Sequence, residues 1–358
     1  MVKNTDSNQK LSEILIWIIM LLLSIIILLM QISSEILSSC VIEIKQDLKT
    51  SDKEFGLFGT FNGSGFFLGS FAFTLMIERV NRKYLICTMT LINCITHFSF
   101  FFGLKYPILL LSRFLSGFAS LFPFLFFPMW IDKFAMKKWV NFMQAFAQFA
   151  TKIGSILGYF FFLIFGGHQW KYGFLFESIT VSFFVFFMLL TPFKYYDKNY
   201  KKPDYIDENF PEKEEISLSF PINQEQETVM KDIICNIPFI LITLYKGNKI
   251  FINAAIYYWY PDYLQTTLME KNSKIIFWSY SISIVISYIF GILLGGVIIN
   301  FIGGTHSKHS YVTMTILQFI SFIFGFSSSF THSVLIFSIL FSPDVLHNSA
   351  RGLIAVNA

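Results

Sequence analysis

Long apolar runs separated by short polar stretches dominate the hydrophobic pattern of this sequence. Ten runs follow one another, at about residues 14–39, 56–77, 84–103, 107–131, 139–165, 172–190, 237–264, 275–302, 311–330 and from Ser333 onward. The first nine are long enough for helices that cross a bilayer, which takes about 20 apolar residues each. The tenth is weak, because polar and helix-breaking residues interrupt it: Pro343, Asp344, His347 and Arg351. The pattern predicts an all-α, polytopic membrane protein.

A charged segment divides the apolar runs into two groups. Residues 192–231 are rich in Lys, Asp, Glu and Pro and contain no long apolar run, which is typical of a solvated, partly disordered linker. The sequence therefore predicts an N-terminal bundle of six transmembrane helices over residues 1–191, a linker over residues 192–231, and an incomplete C-terminal bundle of about four helices over residues 232–358.

The composition supports a membrane protein and argues against several other classes. Hydrophobic residues make up 54% of the chain and charged residues only 14%, whereas a soluble domain carries about 25% charged residues. The net charge of +4 comes from basic residues dispersed over loops, with no basic stripe of the kind that binds nucleic acid. We therefore expect the lipid bilayer, and no nucleic acid, as a partner.

Motifs for enzymatic chemistry are absent from the sequence. It contains no nucleophile elbow and no phosphate-binding glycine loop. His306 and His309 are spaced like metal ligands, but a zinc site needs more ligands and none lies nearby in the sequence. We therefore expect a protein that is not an enzyme and that holds no metal and no cofactor.

Basic residues also predict the orientation in the membrane. With the N-terminus in the cytoplasm, the segments on that side hold fifteen Lys and Arg residues, and those on the other side hold seven. Cytoplasmic loops carry the excess of basic residues in membrane proteins. The sequence therefore predicts an integral, multi-pass protein with a cytoplasmic N-terminus.

A basic loop after the second apolar run resembles the signature loop of the major facilitator superfamily. The matching positions are Thr74, Glu78, Arg79, Val80, Asn81, Arg82 and Lys83. Thr74 and Asn81 stand where that family has glycine, and Glu78 replaces an aspartate. A weaker copy after the eighth run has the same offsets, with Gly296, Asn300, Gly303 and Gly304. The resemblance implies two bundles related as repeats and a secondary transporter that works by alternating access.

Several shorter motifs resemble the spinster-like branch of that superfamily, whose members move lysolipids and sphingoid lipids. They are Asp47-Leu48 with Ser51-Asp52, Arg113 to Gly117, the pair Gly154 and Gly158, Asn236 to Pro238, and Tyr258 to Leu264. The resemblance implies a small organic or lipid-like substrate, with the proton as a candidate coupling ion. Together with the glycines of the second loop, Gly154 and Gly158 are expected at close contacts between helices.

The chain departs from the superfamily in one respect. The family has twelve helices, so two helices of the second bundle have no counterpart here, and Glu78 would lack the eleventh helix on which the acidic residue of the loop docks. A truncated or degenerate protein that does not transport therefore stays open as an alternative. A transporter of polar solutes, such as sugars or organic anions, is the other.

Charged residues inside apolar runs are the candidate functional residues. A charge at the centre of a spanning helix costs about 2.5–3.5 kcal/mol, so it needs a partner or water. The candidates are Glu35, Arg113, Lys152, Glu177, Lys246 and Lys249. We predict an ion pair between Glu35 and Arg113 that acts as a proton switch, with Glu177 as the second choice of partner for Arg113. The alternatives are a static pair, and a Glu35 that reaches the membrane surface.

A polar stripe marks the seventh apolar run. Lys246, Lys249, Asn253 and Tyr257 are spaced by helical turns, so they share one face of a helix. Facing a central cavity, the two lysines would bind an anionic group such as a phosphate or carboxylate; otherwise they extend to the membrane surface. A lipid tail would suit walls rich in phenylalanine, formed by Phe122, Phe124, Phe126, Phe127, Phe160, Phe161 and Phe162.

The predicted orientation can be tested at the linker. We expect protease added to sealed, right-side-out vesicles to leave residues 192–231 intact, and protease added to opened vesicles to cut there, because the segment is charged and lies in the cytoplasm. Fragment sizes on an immunoblot report the cleavage. Cleavage from outside would reverse the orientation.

Overall fold

The structure is a computed structural model. It describes residues 2–136, 139–165, 169–196, 240, 258–270, 272, 274–283, 312, 316, 319–320, 323–324, 326–328, 330–334 and 336–337. Several predicted features lie outside these residues, namely the linker beyond residue 196, the histidine pair, the polar stripe with Lys246, Lys249, Asn253 and Tyr257, and the second loop with Gly296, Gly303 and Gly304.

Seven α-helices form the N-terminal part of the protein. They are α1 (Val2–Ser39), α2 (Val41–Leu48), α3 (Asp52–Met76), α4 (Arg82–Phe101), α5 (Tyr106–Phe134), α6 (Val140–Phe165) and α7 (Trp170–Leu190), and a short 3-10 helix (Phe193–Tyr196) follows. No strand occurs in the part of the chain that the structure describes. The prediction of an all-α polytopic protein is thus confirmed.

Five helices have the length and composition of membrane spans. They are α1 from Glu13 to Ser39, α4, α5, α6 from Phe142 to Phe165, and α7. The 25 residues of α3 reach about 37 Å, which is enough to span, but glycines and hydroxyl residues lower its hydropathy. Its start is fixed by a capping box, in which the Ser51 and Glu54 side chains each accept from the other's backbone N–H.

The polar stretch between the first two apolar runs contains a short helix, α2. In α2, Val41 and Ile44 are buried while Lys45 and Gln46 are not, so two turns of amphipathic helix cover one end of the bundle. We call this the α2 end; the opposite end, with the basic loop, is the Arg79 end. The sequence signal was weak, because eight residues are too short for a clear hydrophobic period.

Close backbone contacts hold the long helices together. α3 packs along α5, α1 along α6, and α4 lies between α5 and α7. A Cβ atom on Gly65 would lie 2.1 Å from the Phe114 carbonyl oxygen, and one on Gly117 would lie 2.1 Å from that of Asn62. Because no side chain fits there, the backbones of α3 and α5 touch directly, as the glycine-rich run predicts.

The same geometry joins α1 to α6. A Cβ atom on Gly154 would lie 2.2 Å from the Leu28 carbonyl oxygen, and one on Gly158 would lie 2.5 Å from the Cβ atom of Glu35. These glycines let α6 approach the α1 face that carries Glu35. That face of α1 is therefore occupied by α6, and this packing limits the groups that Glu35 can reach.

A lysine in the basic loop closes the Arg79 end of the bundle. The Nζ atom of Lys83 donates to the carbonyl oxygens of Leu189, 2.7 Å away, and of Thr191. These groups lie at the end of α7, where helix carbonyls lack partners within the helix and attract positive charge. Arg82 and Arg79, in contrast, are exposed or partly exposed. Lys83 thus ties the start of α4 to the end of α7.

The contact between α3 and α5 can be tested by adding single methyl groups. We expect Gly65→Ala to destabilise the protein by about 1–3 kcal/mol, because the methyl group forces the two backbones apart. Gly63→Ala is the matched control, since a Cβ atom on Gly63 meets nothing within 4 Å. Thermal unfolding in detergent measures both; equal melting temperatures would contradict the close contact.

Candidate functional site

A polar cavity of about 200 Å³ lies among α1, α3, α4 and α5. Its lining residues are Met30, Gln31, Ser33, Ser34, Asn62, Phe66, Asn93, His97, Ser116, Ser120 and Phe124. Eight of these eleven side chains can form hydrogen bonds and none carries a fixed charge. The cavity can therefore hold a small molecule through neutral hydrogen bonds, with three apolar side chains to pack on it.

A hydrogen-bonded network forms one wall of the cavity. The amide of Asn93 donates to Ser116 Oγ at 2.9 Å, and His97 Nε2 lies 2.9 Å from the same oxygen. All three side chains are buried. Since Asn93 and His97 are four residues apart on α4, they share the face that meets α5. The network holds Ser116 in a fixed position at the cavity.

Behind this wall lies a buried pair of titratable groups. The other ring nitrogen of His97, Nδ1, contacts Glu177 Oε2 on α7. Their side chains are 2% and 0% exposed, respectively. One of these two atoms must donate to the other, so the pair holds a shared proton. The second carboxylate oxygen of Glu177 has no hydrogen-bond partner among the described residues.

Arg113 lies beside this pair and not beside Glu35. Its guanidinium carbon is 5.2 Å from the Phe100 ring centre and 5.8 Å from that of Phe174, both at cation–π range. Arg113 and Glu177 each stand seven residues, or about 10 Å, into their helices from the α2 end. Glu177 is the acidic group whose charge acts on Arg113.

The structure does not bring Glu35 and Arg113 together, so the predicted ion pair is absent from the described part of the chain. Glu35 accepts from Gln31 at 3.0 Å and from the Tyr280 hydroxyl at 3.0 Å. The reason is the rotation of each helix about its own axis. The Glu35 face of α1 packs on Gly158 of α6, whereas Arg113 turns toward α4 and α7. Depth along the helices alone could not reveal this.

The phenylalanine wall is divided between several environments. Phe122, Phe126 and Phe127 are buried in the helical core, and Phe124 lines the cavity. Phe160 is exposed. The predicted tail-binding wall is therefore not one surface among the residues that the structure describes. No group of three or more metal-ligating side chains occurs among those residues either.

Contacts with the second half of the chain close the α2 end of the cavity-bearing bundle. Lys45 Nζ lies 2.6 Å from Asp52 in the same half and 3.1 Å from Asp262 in the second half. The Tyr258 hydroxyl donates to the Phe55 carbonyl oxygen at 3.0 Å. Tyr280, which binds Glu35, stacks on Tyr159 with ring centres 3.7 Å apart.

The Lys45 ion pairs persist across physiological pH. Partial burial lowers the pKa of Lys45, but hydrogen bonds and charge attraction from Asp52 and Asp262 outweigh this effect, so its pKa lies above the ordinary value of 10.5. A raised pKa in the folded state means that the stabilisation is present below the ordinary pKa. It is lost only as the pH rises through the raised value, in alkaline solution.

Long apolar helices packed through small residues around a polar cavity define a polytopic membrane protein of the transporter class. The chain belongs to the major facilitator superfamily, whose family model matches residues 23–349. It is accordingly a secondary transporter of small solutes and not an enzyme. No curated protein matches the chain in sequence.

Solved structures share the fold at low sequence identity. A bacterial homologue of the human lysosomal transporter Spinster has a TM-score of 0.72 at 13% identity, covering 96% of this chain and 74% of that one. A D-xylose–proton symporter has 0.64 at 14%, covering 95% and 85%. The nucleoside transporter NupG has 0.62 at 14%, covering 94% and 80%.

Of the eleven residues that line the cavity, sequence reasoning proposed only Phe124 as part of a binding wall, and it missed Asn93 and His97 in particular. A signal was available, because Asn93, Thr96 and His97 interrupt an apolar run at spacings of three and four residues. Neutral polar residues attract less notice than charges in such a run. Glu177, the partner of His97, was singled out, but its contact with α4 could not be read from one sequence.

The closure at the α2 end can be tested by removing single charges. We expect Asp262→Asn to open that end more often, because it removes the ion pair between the two halves. Asp52→Asn removes the matching ion pair within one half and is the control. The readout is labelling of Ser34→Cys, in the cavity, by a membrane-impermeant maleimide added at the α2 side, in a variant without native cysteines. Equal labelling of both variants would contradict the closure.

Proposed function

We propose that the protein transports a small, neutral, hydrogen-bonding solute, or a larger molecule with such a head group, by alternating access of the cavity among α1, α3, α4 and α5. The observation that carries the proposal is the lining of that cavity, where amides and hydroxyls predominate and no fixed charge is present. An anionic substrate would need a cation at the cavity, and the guanidinium of Arg113 lies instead over the rings of Phe100 and Phe174.

The size of the cavity supports the same substrate class. About 200 Å³ is less than the roughly 300–1,000 Å³ of sites for drug-sized ligands. Asn62 lines it from α3 and Ser34 from α1. Two proteins of similar structure are a D-xylose–proton symporter and a nucleoside transporter, and both kinds of substrate are neutral molecules with several hydroxyl groups.

The proposed orientation places the N-terminus in the cytoplasm, since the Arg79 end carries the excess of basic residues. The α2 end is then the outer end, and the contacts of Lys45 and Tyr258 with their partners close the cavity there. Transport requires these contacts to break while the Arg79 end closes. In this proposal, the units that move against each other are the two bundles, which are joined by the linker over residues 192–231.

Uptake into proteoliposomes tests the proposal with four radiolabelled probes: D-xylose, uridine, citrate and lysophosphatidylcholine. We expect uptake of one or both neutral polar probes, and we expect Asn62→Ala to reduce that uptake about 2- to 10-fold, as the loss of one hydrogen bond worth about 0.5–1.5 kcal/mol would.

Ser64→Ala is the matched control for this experiment. Ser64 lies on the same helix, is exposed, and donates only to the carbonyl oxygen of Phe61. Uptake of lysophosphatidylcholine alone would favour a lipid-like substrate, uptake of citrate alone would favour an anion site, and uptake of none would favour a protein that does not transport.

A further inference from the structure

We propose that His97 and Glu177 form a proton-binding site, and that Ser116 reorients its hydroxyl proton toward the polar cavity when this site takes up a second proton. The site is built from three helices: His97 on α4, Glu177 on α7 and Ser116 on α5. His97 also lines the cavity, so an aqueous proton can reach the ring when the cavity is open to water. The first part of this proposal does not depend on the substrate; the second part rests on the proposed function.

The ring of His97 has different neighbours at its two nitrogens. Nδ1 shares a proton with the Glu177 carboxylate, and Nε2 faces Ser116 Oγ. In this state Nε2 is an acceptor, so the hydroxyl of Ser116 donates to it. Ser116 Oγ itself accepts from the amide of Asn93. The hydroxyl proton of Ser116 is therefore used in the hydrogen bond to His97 and is not available to a molecule in the cavity.

A second proton reverses the hydrogen bond at Ser116. When Nε2 takes up a proton from water, the ring becomes a donor at both nitrogens. Ser116 Oγ then accepts from His97 as well as from Asn93, which uses both of its lone pairs. Its own proton must turn elsewhere, and the cavity is the open direction because Ser116 lines it. The cavity wall gains a donor for an acceptor atom of the solute.

Protonation also changes the charge balance of the buried cluster. The groups that act on the pair are Arg113 from α5 and Cys94 from α4, and Tyr258 of the second half acts through Arg113. α1 also packs on α7, but its Glu35 is bonded to Gln31 and Tyr280 instead.

With one shared proton the charges of the cluster sum to zero, because Glu177 offsets Arg113. The second proton leaves one uncompensated positive charge among buried apolar rings, which is costly unless water enters or an acceptor binds. Proton binding therefore favours a hydrated or solute-bound cavity over a dry and empty one.

Histidine NMR tests the site without any substrate. In protein labelled with carbon-13 and nitrogen-15 histidine, we expect one resonance, absent from His97→Gln, to change from its neutral to its cationic position between about pH 5 and pH 8. In Glu177→Gln we expect this change to be lost, because the carboxylate that supports the cation is gone. The resonance of the exposed His332 is assigned with His332→Gln, so that it is not confused with that of His97. A His97 resonance that stays in one state over this range in the parent protein would overturn the proposal.

Labelling of Ser34→Cys tests the link to the cavity. Because a maleimide reacts with the thiolate, the labelling rate at each pH is divided by that of the same cysteine in denatured protein at that pH. We expect this relative labelling rate to change several-fold over the same pH range in the parent background, and to stay constant in His97→Gln and in Ser116→Ala. Ser116→Ala should keep the histidine titration, which separates the role of Ser116 from that of the pair.

A pH response of labelling that survives in both variants would overturn the proposed role of this site. Failure of all four uptake probes would instead count against the proposed function, because neither the titration nor the labelling uses a solute.

Discussion

Direct contact between helix backbones is the constraint on which the arrangement of the bundle depends. At Gly65 and Gly117, and again at Gly154 and Gly158, there is no room for a Cβ atom. In a bilayer, helix association cannot draw on the hydrophobic effect and relies on such packing and on hydrogen bonds. These contacts set the rotation of α3 against α5 and of α1 against α6, and therefore decide which side chains reach the cavity.

The same contacts explain how much of the structure could be predicted from the sequence. Hydrophobic runs predicted the long helices, and Gly154 and Gly158 were expected at close contacts between helices, because both expectations depend on local sequence. The choice of partner for Arg113 depends on rotation about the helix axes. The expected depth and neighbourhood of the helices favoured Glu35, with Glu177 as the second choice. The packing of Gly158 against Glu35, and the position of Arg113 over the rings of Phe100 and Phe174, favour Glu177 instead. A single sequence does not contain that rotation.

Polar residues in the bundle fall into two kinds of environment. Ser24, Thr90 and Thr151 donate to carbonyl oxygens of the preceding turn of their own helix, which satisfies their hydroxyl groups within the membrane. Asn93 and His97 instead bond across helices, to α5 and α7. Counting polar residues in an apolar run could not separate these kinds, which is why part of the candidate site escaped prediction.

Lys83 gives the α4–α7 pair a mechanical property. It binds the last carbonyl groups of α7 at the Arg79 end, while His97 and Glu177 join the two helices near the α2 end. Because α4 and α7 are in contact near both ends, neither helix can shift or tilt independently of the other, and we expect them to move as one rigid unit. A displacement of the helices at the His97–Glu177 pair would therefore also displace the loop at the opposite membrane surface, without any bending of either helix.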